Sequence, residues 1–121
     1  MLGWKVNGSG VSGLTVQALC QDSGTSLVAA GTTQGTATEL VNADNEVITV
    51  ASGSGVVLSS KGTAGDTQTV FNAGANPLKV YPPSGMSINS LTANLPMLLP
   101  VRTGCLFKFI SSSRIFGVLS A

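Results

Sequence analysis

Along most of this chain, apolar and polar residues alternate in short runs separated by Gly, Ser, Asn and Pro. The clearest case is TGCLFKFI, Thr103 to Ile110, which sets Cys105, Phe107 and Phe109 against Leu106, Lys108 and Ile110. After the turn SSSR, the stretch RIFGVLS returns with Phe116 and Val118 facing opposite to Ile115 and Leu119. A period of two on both sides of a polar turn predicts a β-hairpin. DTQTVFN (66–72) and PLKVY (77–81) flank AGAN, and that spacing predicts a second hairpin with a four-residue loop. Leu78 and Val80 share one face there, and Lys79 takes the other.

EVITVA (46–51) places Val47, Thr49 and Ala51 against Ile48 and Val50. Both of its faces are apolar, which predicts a central or doubly covered strand. VVLSS (56–60) and the thin, Thr-rich stretches 26–30 and 35–40 read as further strands, with NADNE (42–46) as a turn. LTVQALCQ (14–21) alternates and then slips at Leu19 and Cys20, which leaves a bulge or a short helix open. In MSINSL, Met86 and Ile88 are again two apart. LPMLLP (95–100) is apolar but interrupted by Pro96 and Pro100, so it predicts an edge strand or an extended arm. No segment sustains helical spacing, and strands recur about every ten residues. The expectation is an all-β chain: residues 1–13 an N-terminal arm and loop, residues 14–121 a single antiparallel β-sandwich, jelly-roll-like.

Composition changes this picture in one respect. Ordinary soluble domains carry about 25% charged residues, whereas this chain of 121 residues carries 9%, with a net charge of +1. Ser, Thr, Gly, Ala and Asn take the vacant places. Such side chains lose little entropy and little hydration when another surface covers them. A near-neutral surface also resists association weakly. The composition therefore predicts a subunit of an assembly. Lys5, Lys61, Lys79, Arg102, Lys108 and Arg114 form no basic stripe, which argues against nucleic acid as a partner. MLGWKVNGSG lacks the apolar core of a secretory leader. The run Leu95–Val101 falls far short of the roughly 20 residues that span a bilayer, so no membrane partner is expected.

Candidate chemistry is sparse. The chain has no histidine, which removes the commonest general base and metal ligand. Ser59, Ser60 and Lys61 are adjacent, but adjacency in a turn does not make a serine–lysine pair. Asp44 and Glu46 could share a side, yet they fall in a predicted turn without an aromatic platform, where acids are ordinarily turn formers. Gly8, Gly10 and Gly13 match Gly-x-Gly-x-x-Gly but lack the acid about 20 residues on that a dinucleotide site needs. Cys20 and Cys105 fit no zinc pattern and read as small buried hydrophobes, although their number allows one disulfide. The expectation is a non-enzymatic protein with no catalytic residue, cofactor or metal site.

One stretch carries a resemblance. GDTQTVFNAGANPLKVYPPSGMSIN, Gly65 to Asn89, resembles a segment recurring in virion proteins of tailed phages. GTATELVNADNEVITVASGSGVVL (35–58) resembles the strands that precede it there, and PVRTGCLFKFISSSRIFGVLS (100–120) the closing hairpin. The chain looks most like the trimeric cement, or decoration, proteins of phage capsids, including those of short-tailed cyanophages. Related segments occur in tailspike and fibre proteins. The resemblance implies a homotrimer on the outer capsid surface, assembled in the host cytoplasm and bracing the major capsid protein lattice. The alternative it implies is a tail-fibre or tailspike module that recognises a host surface glycan. For capsid or subunit contacts, the sequence reading selects Trp4, Leu98 and Leu99: an isolated Trp in the arm, because buried Trp residues often anchor interfaces, and two leucines of a proline-bounded apolar run.

Overall fold

Among the described residues ten strands form, most of them where the alternation predicts strands: β1 Ser23–Val28, β2 Thr38–Glu39, β3 Asp44–Thr49, β4 Gly55–Val57, β5 Thr67–Asn72, β6 Leu78–Tyr81, β7 Ser87–Ile88, β8 Met97–Leu99, β9 Gly104–Phe109 and β10 Arg114–Leu119; β1 and β3 begin earlier than expected, β3 inside the predicted turn 42–46. The computed structural model describes residues 23–120, and these hold no helix. The arm with Trp4, the glycines at 8, 10 and 13, the predicted strand 14–21 and Cys20 lie outside the described residues.

The pairing overturns the antiparallel jelly-roll sandwich. From β1 to β9 successive strands alternate between two sheets, and β10 stays with β9; the orders are β1-β3-β5-β9-β10-β7 and β2-β4-β6-β8. β1, β3 and β5 run parallel, as do β2, β4 and β6. The chain therefore coils as a parallel-rich β-solenoid of about four turns. β8 and β9 form its reversed last layer, antiparallel on β6 and β5. The hairpin of β9 and β10 is present as expected, and β7 closes the far edge parallel to β10. The second predicted hairpin does not exist, because β5 and β6 belong to different sheets.

The reason lies at the corner between them. Asn72 is fully buried. Its amide Nδ2 donates to the Asn76 and Leu99 carbonyls at 2.9 and 3.0 Å, and its Oδ1 accepts from the Gly74 N–H at 2.9 Å. Asn76 Nδ2 donates to the Val50 carbonyl at 2.8 Å, in the corner one turn earlier. A Cβ on Gly74 would stand 2.6 Å from Val50 Cγ2 and 3.0 Å from its backbone nitrogen. AGAN is thus a corner stacked on the preceding corner, which a side chain at Gly74 would push apart.

The opposite edge is closed by Gln68. Its Nε2 donates to the Leu40 and Asn42 carbonyls, both at 3.0 Å, and its Oε1 accepts from the Ser59 N–H at 2.9 Å. One amide thereby joins two corners to β5. Between the sheets the core holds Leu40, Val47, Val56, Leu58, Val70, Leu78, Val80, Ile88, Leu99, Phe107, Phe109 and Ile115. β8 is an edge strand of the smaller sheet, as its prolines predict. The turn after it has its Thr103 N–H on the Pro100 carbonyl at 3.3 Å and Arg102 at φ 63°.

Gln68→Leu keeps the volume but leaves the Leu40 carbonyl and the Ser59 N–H without the amide that pairs them, while the Asn42 carbonyl keeps Asn45 Nδ2 at 2.9 Å. At about 1–3 kcal/mol for each such group, it should destabilise the fold by about 2 kcal/mol or more in urea unfolding. Gly74→Ala should cost about 1–3 kcal/mol through overpacking. In a free hairpin loop the same change would be near neutral, so a neutral Gly74→Ala would refute the stacked corner.

Candidate functional site

The two sheets differ in what covers their outer faces. On the smaller sheet, the loop between β1 and β2 lies across the strands. Ala30 bridges Gly55, the Tyr81 hydroxyl donates to the Thr32 carbonyl at 3.0 Å, and Gln34 Nε2 donates to the Pro82 carbonyl at 2.7 Å. Tyr81 is buried as a result. No comparable cover lies on the larger sheet among the described residues, and large side chains there stand in the open: Ile48, Phe71, Leu106, Ile110, Phe116 and Val118, each 41–52% exposed.

Strand register places these side chains. Glu46 is opposite Phe71, Thr69 opposite Leu106, Leu106 opposite Val118, and Lys108 opposite Phe116. Diagonal neighbours on a sheet remain within reach of large side chains. Ile48, Phe71, Leu106 and the pair Val118–Phe116 therefore form one diagonal stripe from β3 to β10. Beside it runs a shallow groove of ≈ 610 Å³, with Phe71 and Leu106 among its walls and Gly104 in its floor.

Charged side chains stand at both ends of the stripe, and Asp66, whose carboxylate accepts from Thr63, precedes β5 near the Lys108 end. Asp44 and Glu46 stand together on β3, on strand rather than in the predicted turn, and Glu46 does have an aromatic neighbour in Phe71. Thr69 Oγ1 donates to Asp44 Oδ1 at 2.5 Å. At the other end are Lys108 on β9, whose Nζ donates to the Gly65 carbonyl at 3.1 Å, and Arg114 on β10.

Of the residues selected from sequence, Leu98 points outward from β8 and is 59% exposed, whereas Leu99 is wholly inside the core. Trp4 lies outside the described residues. The structure separates Leu98 from the stripe, which belongs to the other sheet. Sequence reasoning missed the stripe. Its signal was present in the outward positions of β9 and β10, where Leu106, Phe116 and Val118 stand where a solvated sheet face would carry polar residues.

The remaining chemical candidates are used structurally. Ser60 donates both its N–H and its hydroxyl to Glu39 Oε2, at 3.1 and 2.9 Å, and Ser59 Oγ accepts from the Lys61 N–H at 3.2 Å. The Ser60 hydrogen bonds, from its N–H first, hold the Glu39 carboxyl below its usual pKa, with a smaller contribution from Lys61. Among the described residues no three of His, Cys, Asp and Glu gather as a metal site, and no helix is long and apolar enough to cross a membrane. Cys105 is buried, and burial pushes its thiol up to about 11. Family models, curated proteins and solved structures contain no match to this chain.

Only the thiolate reacts readily with disulfide reagents. In a Cys20→Ser background, Cys105 should therefore react at least about tenfold more slowly in the native protein than in urea at pH 8. Its linkage to stability has the matching sign. The folded state favours the protonated thiol, so this contribution is complete below the ordinary thiol pKa near 9 and is lost as the pH rises towards 11. Equal native and denatured labelling rates would contradict the burial of Cys105.

Proposed function

We propose that this chain is a virion structural protein: a capsid cement, or decoration, protein that sits on the outer capsid surface as a homotrimer and stabilises the lattice of the major capsid protein. The observation that carries the reading is the apolar face of the larger sheet, which no other described residue covers, on a chain with only 9% charged residues. A contiguous apolar patch of this kind marks an interaction surface. The resemblance of residues 65–89 to phage virion segments supplies the context. In the structure those residues build β5, the Asn72–Gly74 corner, β6 and β7, so the resemblance bears on the scaffold and leaves the contact surface to be located.

The mechanism is bracing by area, without catalysis. A trimer that touches several capsid subunits can be dislodged only by breaking its contacts together, so modest individual contacts combine into strong attachment. A scaffold whose corners are cross-linked by buried amides transmits load between those contacts with little deformation. Small polar surface residues lower the cost of covering the rest of the exterior.

A second reading is favoured by the groove beside Phe71, where an aromatic ring adjoins Glu46 above an open glycine floor. Ring, carboxylate and open floor suit a sugar, as a tail-fibre or tailspike module recognising a host surface glycan would require.

Light scattering of the purified full chain should give the mass of three chains, and the protein should co-sediment with undecorated capsids and raise their resistance to heat. Failure to bind capsids, together with saturable binding of a host polysaccharide that Phe71→Ala abolishes, would replace the first reading with the second.

A further inference from the structure

We infer that the diagonal stripe on the larger sheet is the contact between copies of this chain, with the Asp44–Glu46 end of one copy seated on the Lys108–Arg114 end of the next. The inference rests on the self-association in the reading above and is independent of the capsid. The apolar area suits such a contact. Five side chains, Ile48, Phe71, Leu106, Phe116 and Val118, are each 41–52% exposed and together offer roughly 400 Å². A standard interface buries about 800 Å² per partner, of which a little over half is apolar. The stripe alone nearly supplies that share, and the groove and the charged ends supply the polar rim.

The charge pattern selects the occupant. Both acids lie at the β3 end and both bases at the β9–β10 end, on the same side of the stripe, because Asp44 and Glu46 share β3 while Lys108 is opposite Phe116 and Arg114 lies two residues from it. A copy turned end for end across the stripe, or one following in a closed ring, brings its bases onto these acids. A second copy carries the complementary pattern by construction, whereas a foreign partner would have to reproduce it. Like-signed ends would instead have repelled a second copy. Lys108 Nζ is held on the Gly65 carbonyl, so the lysine is already fixed at the rim.

The test is sedimentation velocity of the full chain, from micromolar to millimolar, for wild type, Glu46→Lys, Lys108→Glu, the double reversal and Phe71→Ser. Circular dichroism would establish that each variant is folded. Wild type should associate. Each single reversal and Phe71→Ser should weaken association by about tenfold or more, and the double reversal should recover most of the loss made by either single change. A wild-type oligomer indifferent to Phe71→Ser and to both reversals would place the contact elsewhere and overturn the proposal. So would a wild-type monomer at every concentration; hydroxyl-radical protection of Phe71 and Phe116 in that monomer would assign the face to another occupant, this chain's own residues 1–22 included. The two readings fail separately. A monomer that still binds undecorated capsids removes this interface and keeps the capsid role, whereas a charge-dependent oligomer that binds no capsid keeps the interface and removes that role. A dimer lost in the variants keeps the interface and corrects the number of copies.

Discussion

Everything in this fold depends on how the chain turns its corners inside an almost uncharged body. Each solenoid turn brings carbonyl groups into the interior at its bends, and buried backbone groups must be paired. Here side-chain amides pair them. Gln68 holds two corner carbonyls and an N–H, and Asn72 holds two carbonyls and an N–H, while Asn76 ties its corner to the one before. An amide offers two donors and an acceptor at once, with no charge to desolvate. A Lys or Glu at these positions would have to bury an ion at far greater cost. The placement of Asn and Gln at the corners and the lack of charge thus have one structural cause as well as a surface consequence.

The same accounting explains which parts of the architecture could be read in advance. Strand positions were readable, because alternation of period two is a local property of the chain. β9, β10 and their turn were readable as a pair because both strands are long and the turn between them is short. Strand partners were not readable, since parallel and antiparallel strands share the same side-chain period. The corner at Asn72–Asn76 has the length of a hairpin loop. What makes it a corner is the fit of Gly74 against Val50 and the reach of Asn76 to the Val50 carbonyl, contacts between residues more than 20 positions apart that no local pattern records. Asp44 and Glu46 were misplaced for a related reason: NADNE has the composition of a turn, yet pairing with Thr69 and Phe71 extends β3 through Asp44.

The candidate site was visible only in part. Low charge raised the expectation of association, and that expectation needed no coordinates. The location did not follow, because the apolar run at Met97–Leu99 is louder in the sequence than the scattered Phe71, Leu106 and Phe116. In three dimensions their order reverses. Leu99 is absorbed into the core, whereas the scattered residues converge on one diagonal of one face. Register across four strands, rather than density along the chain, builds the surface.

An open apolar face carries a risk of unlimited aggregation, and the rest of the fold restricts how copies can meet. Unprotected sheet edges are the usual route to fibres. Here β2 and β7 are two residues long, and β8 has three residues between Pro96 and Pro100. β1 is broken by register shifts, with Ser26 at φ 60° inside it. None of these edges offers a long regular ladder for another strand. Under the proposed self-contact, association is directed from these edges to the face, and a face with opposite charges at its two ends is consumed once its partners are in place, so that growth would stop at a closed assembly.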